Sequence, residues 1–280
     1  MSSLTKVSMP RAILSHAVLW LAVVIAVFPV SRIITISLRP GNRLLSSDLA
    51  IIPSDATFEN YYKIFTQKPF LQWIYNSLAI TVTTSFIGVI LASTAAYAFS
   101  RYKFPGRKSG LLFLMMTQMI PAAMLILPIY LILTQTGLLN TYAGMVIAYS
   151  VTTLPFSIWV LKGYFDSVPR SLEESARMDG CSEIEAFYRI LLPLSTPSLA
   201  IVFLFNFTQA WNEYIIASTV IQDPALRTWP LGLYELQGNF NSEWGMFAAG
   251  SVLISIPVVA LFLYSSKYMV SGLTVGGVKG

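Results

Sequence analysis

The chain has 280 residues, of which 55% are hydrophobic and only 11% are charged. Soluble domains carry about 25% charged residues, so this composition excludes an ordinary soluble protein and indicates a membrane protein embedded in a lipid bilayer. The net charge of +5 does not indicate a nucleic-acid partner, because the basic residues are scattered beside apolar segments, and the single Cys181 excludes an intrachain disulfide and a cysteine-cluster metal site.

Six runs of the sequence are nearly free of charge and long enough to cross a bilayer. A hydrocarbon core of about 30 Å requires roughly 20 apolar residues in a helix. The runs cover residues 13–34, 73–99, 111–134, 142–160, 199–220 and 246–266. Long alternating strands, which are typical of an outer-membrane barrel, are absent from the sequence. The sequence therefore predicts an all-α membrane protein with six transmembrane helices in a single transmembrane domain, 1–280.

The first run follows Lys6 and Arg11, as the apolar segment of a signal peptide would. It is too long for a cleaved segment and lacks a small-residue cleavage site, so we expect a retained helix. Most Lys and Arg residues of the short loops fall on the side that holds both termini, and by the positive-inside rule that side is the cytoplasm. We therefore predict a multi-pass protein of the cytoplasmic (inner) membrane with both termini cytoplasmic.

The segment between the fourth and fifth runs, residues 170–193, is the longest cytoplasmic loop. Ser171 with Glu174, and Ser182 with Glu185, have the spacing of a capping box, in which serine and glutamate side chains bond each other's backbone N–H groups. Gly180 lies between them, where a helix end favours glycine. We therefore predict two short amphipathic helices that meet at Gly180.

The residues of the 170–193 loop leave its role open. It is either a capped loop that merely packs on the helix ends or a surface that contacts a partner. A DNA-binding helix-turn-helix is a third formal possibility. Five acidic residues outnumber three basic ones in the loop, and this disfavours DNA because phosphate binding requires the reverse.

The 170–193 loop resembles the EAA loop of ABC importer permeases, in which EAA is followed by a glycine and then by I-x-L-P. The matching residues are Glu174, Ala176, Asp179, Gly180, Phe187, Ile190, Leu192 and Pro193, with Ser175 in place of the usual alanine. The segments AAYAFSRYKFPGR, LKGYFDSVPRSLEESA and GLTVGGVKG are also similar to the smaller permease subunit of the maltose/maltodextrin-type sugar importers. The resemblance implies the type I ABC importer permease fold.

The resemblance also implies partners. In that family the EAA loop is a coupling helix that lies in a cleft of a separate cytoplasmic ATPase, so these eight residues and Ser175 are expected to couple to it. A dimer of ATP-hydrolysing subunits, an extracytoplasmic sugar-binding protein and a second permease subunit are expected. That second subunit is expected to form a heterodimer with this chain, although the sequence leaves an identical copy open.

Catalysis is not expected of this chain. The nearest match to a phosphate loop, GRKSG at 106–110, lacks the required earlier glycine because residue 101 is arginine. We therefore predict no cofactor here, with ATP and Mg²⁺ on the partner ATPase, and no enzyme activity.

The fifth run carries a polar stripe made of Asn206, Gln209 and Glu213. An ionisable group in a membrane helix must face protein or water. The stripe either borders the translocation path or the partner permease, or it forms interhelical hydrogen bonds. Four prolines also lie inside predicted spans, where they either serve gating or only shape the helices: Pro121, Pro128, Pro155 and Pro257.

Two further groups of residues are candidates by resemblance. The third outer loop is expected to contact the binding protein, although aromatic residues there also suit the interfacial belt; its candidates are Tyr234, Gln237, Gly238, Asn239 and Phe240. The tail, 271–280, is too glycine-rich for a stable helix, and its similarity to the family tail implies ATPase contact through Gly276, Gly277 and Lys279. The membrane sugar site is expected mainly in the partner permease, so no sugar ligand is assigned to this chain.

Two functions are compatible with the sequence. The first is a permease subunit of a binding-protein-dependent ABC importer for an oligosaccharide such as maltose or maltodextrin, which couples ATPase closure to alternating access. The alternative is a self-contained secondary transporter or channel. That alternative predicts paired intramembrane charges, inverted repeats or a filter motif, and the sequence shows none of them.

Overall fold

The computed structural model describes residues 9–41, 50, 52–238 and 242–276, with side chains described as far as Lys267. Within these ranges all regular structure is helical. The helices are α1 Met9–Ser37, α2 Glu59–Gln67, α3 Phe70–Arg101, α4 Arg107–Thr117, α5 Ala122–Gln135, α6 Tyr142–Ser167, α7 Arg170–Met178, α8 Glu183–Ala186, α9 Leu192–Leu194, α10 Thr196–Trp211, α11 Ile215–Val220, α12 Trp229–Glu235 and α13 Trp244–Gly276. A π-helical turn, Phe187–Leu191, joins α8 to α9, and a 3₁₀ turn, Pro224–Leu226, precedes α12.

Four stretches of the described chain are long and apolar enough to cross a membrane as single helices: α1, α3, α6 and Trp244–Lys267 of α13. Two helix pairs satisfy the same test as broken spans, namely α4 with α5, bent by 104°, and Glu183–Leu194 with α10, bent by 77°. Five of these elements overlap the predicted runs along most of their length, whereas the second pair overlaps the predicted run 199–220 only through α10, because its Glu183–Leu194 part belongs to the 170–193 loop. The all-α membrane class is thereby confirmed, and the sidedness of the termini stays a prediction.

Two of the predicted spans are not continuous helices. α4 ends at Thr117, and Pro121 is the N-cap of α5 instead of an interior residue, because proline has no N–H to continue the helical ladder. α10 ends at Trp211, and three residues separate it from α11. The predicted continuous helix over 199–220 is therefore wrong at its C-terminal end. The other three prolines singled out in the sequence, Pro128, Pro155 and Pro257, lie inside helices.

The chain forms two compact units, Met1–Pro69 with Leu233–Ser255 and Phe70–Gly232 with Ile256–Gly280. In the second unit α3 packs along α6, and α10 packs against both helices. Small side chains allow this close approach, as at Gly88, where an added Cβ would lie 2.6 Å from the Asn206 amide nitrogen. Contact through small residues is typical of helix packing in membranes.

The first unit contains α1, α2 and the first part of α13. Asn60 of α2 donates from Nδ2 to the carbonyl oxygens of Ser37 and Arg39, at 3.1 and 2.8 Å, which ties α2 to the end of α1. An added Cβ at Gly245 would lie within 2.5 Å of Asn60, so α13 also approaches α2 closely. The most apolar stretch of α1 buries no residue within the described chain.

Candidate functional site

The 170–193 loop is built from α7, α8, the π-helical turn and α9. Gly180, between α7 and α8, has a φ of +95°, in the left-handed region where side chains with a Cβ are strained. The N–H groups of Gly180 and Cys181 bond to the carbonyls of Arg177 and Ala176, both at 3.0 Å, and so close the end of α7. The prediction that two short helices meet at this glycine is confirmed.

Of the two predicted capping boxes, the second is confirmed and the first is wrong. Ser182 Oγ accepts the Glu185 N–H at 3.2 Å, and Glu185 Oε2 accepts the Ser182 N–H at 2.9 Å. α7 instead begins at Arg170, directly after Pro169, so Ser171 lies inside the helix and cannot cap it. Proline disfavours helical backbone in the residue before it, and this sets the boundary between α6 and α7 at Val168 and Pro169.

A buried ion pair holds α7 against the end of α3. Arg101, the last residue of α3, contacts Glu173 Oε1 through Nε at 2.7 Å and Nη2 at 2.6 Å, and both side chains are only 8% exposed. The same guanidinium donates to the carbonyls of Phe165 and Val168 at the end of α6, at 2.9 and 3.2 Å. A buried charge is tolerated when it is paired and fully hydrogen-bonded. One side chain therefore joins α3, α6 and α7.

No pattern in the sequence predicts this ion pair. Glu173 entered only as one of five acidic residues, and Arg101 only as a residue that excludes a phosphate loop. They are 72 residues apart, so no spacing rule brings them together. The one sequence feature that could have indicated the pair is the arginine at the last position of a transmembrane helix. At that position its guanidinium can reach an acidic side chain of an adjoining loop.

The underside of the loop packs on the ends of α3 and α6. Phe187 is 4% exposed, and its ring centroid lies 4.6 Å from that of Tyr97 and 6.5 Å from that of Phe165. Arg170 donates to the carbonyl of Ser100 at 2.9 Å. These contacts hold the loop against the ends of α3 and α6.

A side-chain hydrogen bond also joins the loop to the residue that follows α3. The Tyr102 hydroxyl donates to Glu183 Oε2 at 2.6 Å, and this bond raises the pKa of Tyr102 above its usual value. Tyr102 must be protonated to donate this hydrogen bond. Because its pKa is raised, the protonated phenol is the form present at neutral pH.

Three large apolar side chains of the loop are mostly exposed. Met178, Ile184 and Tyr188 are 89%, 68% and 57% exposed, and we call these three residues the apolar tip. Large apolar side chains that are exposed on a charged loop are available to bind another protein. Among the residues matched to the EAA pattern, Ala176 and Phe187 are buried, Ile190 and Leu192 are partly buried, and the others are exposed: Glu174, Ser175, Asp179, Gly180 and Pro193.

The predicted polar stripe does not exist as one face of a helix, because α10 ends before Glu213. Asn206 is fully buried and accepts the Ser157 hydroxyl of α6 at 2.8 Å, which favours the interhelical alternative for this residue. Gln209 is exposed in a cleft. The Glu213 carboxylate accepts the N–H groups of Ile216 and Ala217, at 2.9 and 3.0 Å, at the start of α11.

The remaining candidates are only partly described. Tyr234 is exposed on α12, and Gln237 and Gly238 follow that helix; Asn239 and Phe240 lie outside the described residues. Gly276 is the last residue of α13, whereas Gly277 and Lys279 lie outside the described residues. The expectation of a non-helical tail is wrong for residues 271–276, because α13 continues through them and the preceding helical turns nucleate its extension.

Residues 84–267 match the family model described as "Binding-protein-dependent transport system inner membrane component". Three curated relatives are similar over nearly the whole chain. They are the galactooligosaccharides transport system permease protein GanQ of Bacillus subtilis (36% identical, 96% of each chain), the diacetylchitobiose uptake system permease protein DasC of Streptomyces coelicolor (35%, 91% of this chain and 92% of the relative) and the maltose/maltodextrin transport system permease protein MalG of Salmonella typhimurium (35%, 96% of each chain).

A solved structure shows the same fold. It is a bacterial ABC transporter involved in the import of the acidic polysaccharide alginate, with a TM-score of 0.79 and 24% identity, covering 96% of this chain and 99% of that one. The predicted type I ABC importer permease fold is confirmed by this similarity and by the family match.

Proposed function

Because this chain belongs to the family of binding-protein-dependent transport system inner membrane components, we propose that it is the smaller permease subunit of an importer for an oligosaccharide such as maltose or maltodextrin. As a permease subunit it is not an enzyme. The three named relatives carry different sugars, galactooligosaccharides, diacetylchitobiose and maltodextrins. What they share is a short oligosaccharide, and this supports the proposed substrate class.

The observation that carries the proposal is the anchoring of the 170–193 loop. ATPase closure can drive transport only if the loop that contacts the ATPase moves the membrane helices with it. The buried Arg101–Glu173 pair joins α7 to the ends of α3 and α6, while the apolar tip is exposed. The loop thus has a fixed side toward the membrane helices and a free side for a partner.

The proposed partners follow from this arrangement and from the family. A dimer of cytoplasmic ATP-hydrolysing subunits, which carry ATP and Mg²⁺, receives the loop, with Glu174 and Asp179 beside the apolar tip. A second permease subunit, a different chain, completes the path through the cytoplasmic membrane. An extracytoplasmic sugar-binding protein delivers the oligosaccharide to the third outer loop, and the tail from Gly276 contacts the ATPase.

Reconstitution tests the proposal. The chain is coexpressed with a candidate partner permease, ATPase and sugar-binding protein from the same organism, and the complex is placed in proteoliposomes with ATP inside. We expect uptake of at least one of maltotriose, galactotriose and diacetylchitobiose, and we expect uptake to stop when either the ATPase or the binding protein is omitted. Uptake by this chain alone, driven by an ion gradient, would instead establish the secondary transporter.

A further inference from the structure

Two helix breaks lie next to each other in the second unit. Residues 118–121 separate α4 from α5, and residues 212–214 separate α10 from α11. Each break borders a cavity of about 410 Å³. Ala122, Thr152 and Gln209 line both cavities, so the two form one cleft, which we call the break cleft. Ligand pockets in proteins have volumes of about 300 to 1,000 Å³, so either half has room for a sugar unit.

The break cleft lies at the depth of the membrane interior. Thr152 is ten residues after the first residue of α6 and fifteen before its last. At 1.5 Å per residue it lies about 15 Å from one end of that helix and about 22 Å from the other. Non-helical backbone at this depth is tolerated where it lines a cavity that holds water or a substrate. Paired breaks at one depth therefore indicate a transport cavity.

The cleft presents amide groups that are available to a ligand. The Gln209 side chain is exposed there and makes no hydrogen bond with the described part of the chain. The side chains of Gln118 and Asn212 are also exposed, and each donates only from its nitrogen, to the carbonyls of Thr152 and Thr208. Carboxamides have both donors and acceptors and suit the hydroxyl groups of a sugar.

The charge of the cleft indicates a neutral ligand. Among the residues that the structure describes, no lysine or arginine lines either cavity. Glu213 is the one carboxylate in this described lining, and it accepts the N–H groups of Ile216 and Ala217. An anionic sugar would lose water without gaining a positive partner, and burial of an uncompensated charge is costly. A polyhydroxylated, uncharged molecule has no such cost.

We propose that the break cleft is a sugar-binding subsite on the translocation path, in which Gln209 is the central hydrogen-bonding side chain and the ligand is a neutral oligosaccharide. The proposal rests on the proposed function and reverses the expectation that this chain contributes no sugar ligand. Gln209 contacts hydroxyl groups of the passing sugar, while Gln118 and Asn212 border the same space from the two breaks.

The test uses the full complex in proteoliposomes and compares Gln209→Leu, which removes the amide at similar volume, with Thr208→Val. Thr208 is the preceding residue of α10, and its hydroxyl bonds to the carbonyls of Leu204 and Phe205 in its own helix. The measured quantity is sugar imported per ATP hydrolysed, with whichever of maltotriose, galactotriose and diacetylchitobiose the wild type imports. We expect at least a fivefold decrease for Gln209→Leu, an intermediate value for Gln209→Asn and no change for Thr208→Val.

A labelling measurement gives independent evidence if Gln209→Leu assembles poorly. In a Cys181→Ser background, a cysteine introduced by Gln209→Cys should react more slowly with a methanethiosulfonate reagent when the imported sugar, binding protein and ATP are all present. Unchanged labelling, or an unchanged ratio of sugar to ATP in Gln209→Leu, overturns the subsite and leaves the proposed function intact. Loss of the partner permease from the purified Gln209→Leu complex also overturns it, because Gln209 then belongs to the interface between permeases.

Transport by the wild-type complex tests the inference about charge and the proposed function. Import of a uronate disaccharide without import of any neutral sugar contradicts the inference about charge. Failure of the wild type to import any oligosaccharide removes the proposed function itself, and the subsite with it.

Discussion

The buried Arg101–Glu173 pair predicts a specific failure when its charge balance is changed. Glu173→Gln keeps an oxygen acceptor for the guanidinium and removes the negative charge. The neighbouring Glu174→Gln makes the same chemical change at an exposed position and is the matched control. If the pair anchors the 170–193 loop, only the first substitution loosens it.

The magnitude follows from burial. Both side chains of the pair are 8% exposed, and removal of one partner from a buried pair costs about 3 to 5 kcal/mol because the other charge stays buried without compensation. The carbonyls of Phe165 and Val168 still accept from Arg101, so we expect the lower value, about 3 kcal/mol. At about 1.4 kcal/mol per tenfold change, the population in which α7 is detached rises roughly 100-fold.

Amide hydrogen exchange of α7 measures that population in the purified permease pair without the ATPase. We expect exchange in Arg170–Met178 to accelerate roughly 100-fold in Glu173→Gln, in line with the magnitude above, and to match the wild type in Glu174→Gln. In proteoliposomes, Glu173→Gln should hydrolyse more ATP for each sugar imported. Equal exchange in the two variants would refute the reasoning, since the pair would then contribute nothing to docking of the loop.

A double substitution separates charge from packing. Arg101→Met combined with Glu173→Leu removes both charges and keeps apolar volume. Because no buried charge remains unpaired, the double variant should be destabilised less than the sum of the two single variants. Additive effects in the same exchange measurement would show that the two residues act independently.

The other predictions concern the loop's bend, its charge and the topology. Gly180→Val should lower sugar uptake per ATP while insertion stays normal, because a left-handed residue with a Cβ costs about 1 to 2 kcal/mol. No atom of the described residues lies within 4 Å of the added Cβ, so strain of the backbone is the expected cause. Uptake equal to that of the wild type would contradict this prediction. Glu174→Gln should reduce copurification of the ATPase, and more so at higher salt, whereas an unchanged yield across a salt series would exclude an ion pair. Cysteines at Ser109 and Ser242 should be labelled from the cytoplasm and from outside, respectively, and the reverse pattern would invert the topology.

The helical spans could be predicted from the sequence because the bilayer imposes both their length and their composition. The breaks between α4 and α5 and between α10 and α11 could not be predicted from apolar length and composition. Met119 and Ile120 are as apolar as the helices on either side, so hydropathy does not register the 104° bend between α4 and α5. Pro121 was a signal of ambiguous meaning, because prolines also occur inside intact membrane helices, as Pro128 does seven residues later.

In the 170–193 loop, too, some features depend on neighbouring residues and others on residues far away in the sequence. Gly180 and the Ser182–Glu185 box act over three or four residues, so the sequence was sufficient to predict them. The first capping box failed because Pro169 sets the start of α7 earlier than the serine. The anchor of the loop depends on Arg101, which only the folded chain brings to Glu173.

Glu213 shows why a break and an acidic residue occur together. A carboxylate in a continuous apolar helix finds no free donor, because every interior N–H already bonds to a carbonyl of the previous turn. When α10 ends at Trp211 and α11 begins at Ile215, the first N–H groups of α11 lack helical acceptors, and Glu213 accepts two of them, from Ile216 and Ala217. The acid therefore stabilises the break, and the break supplies the donors that allow the acid in the membrane. Since the break also borders the cleft at Gln209, Glu213 maintains the shape of the site beside it.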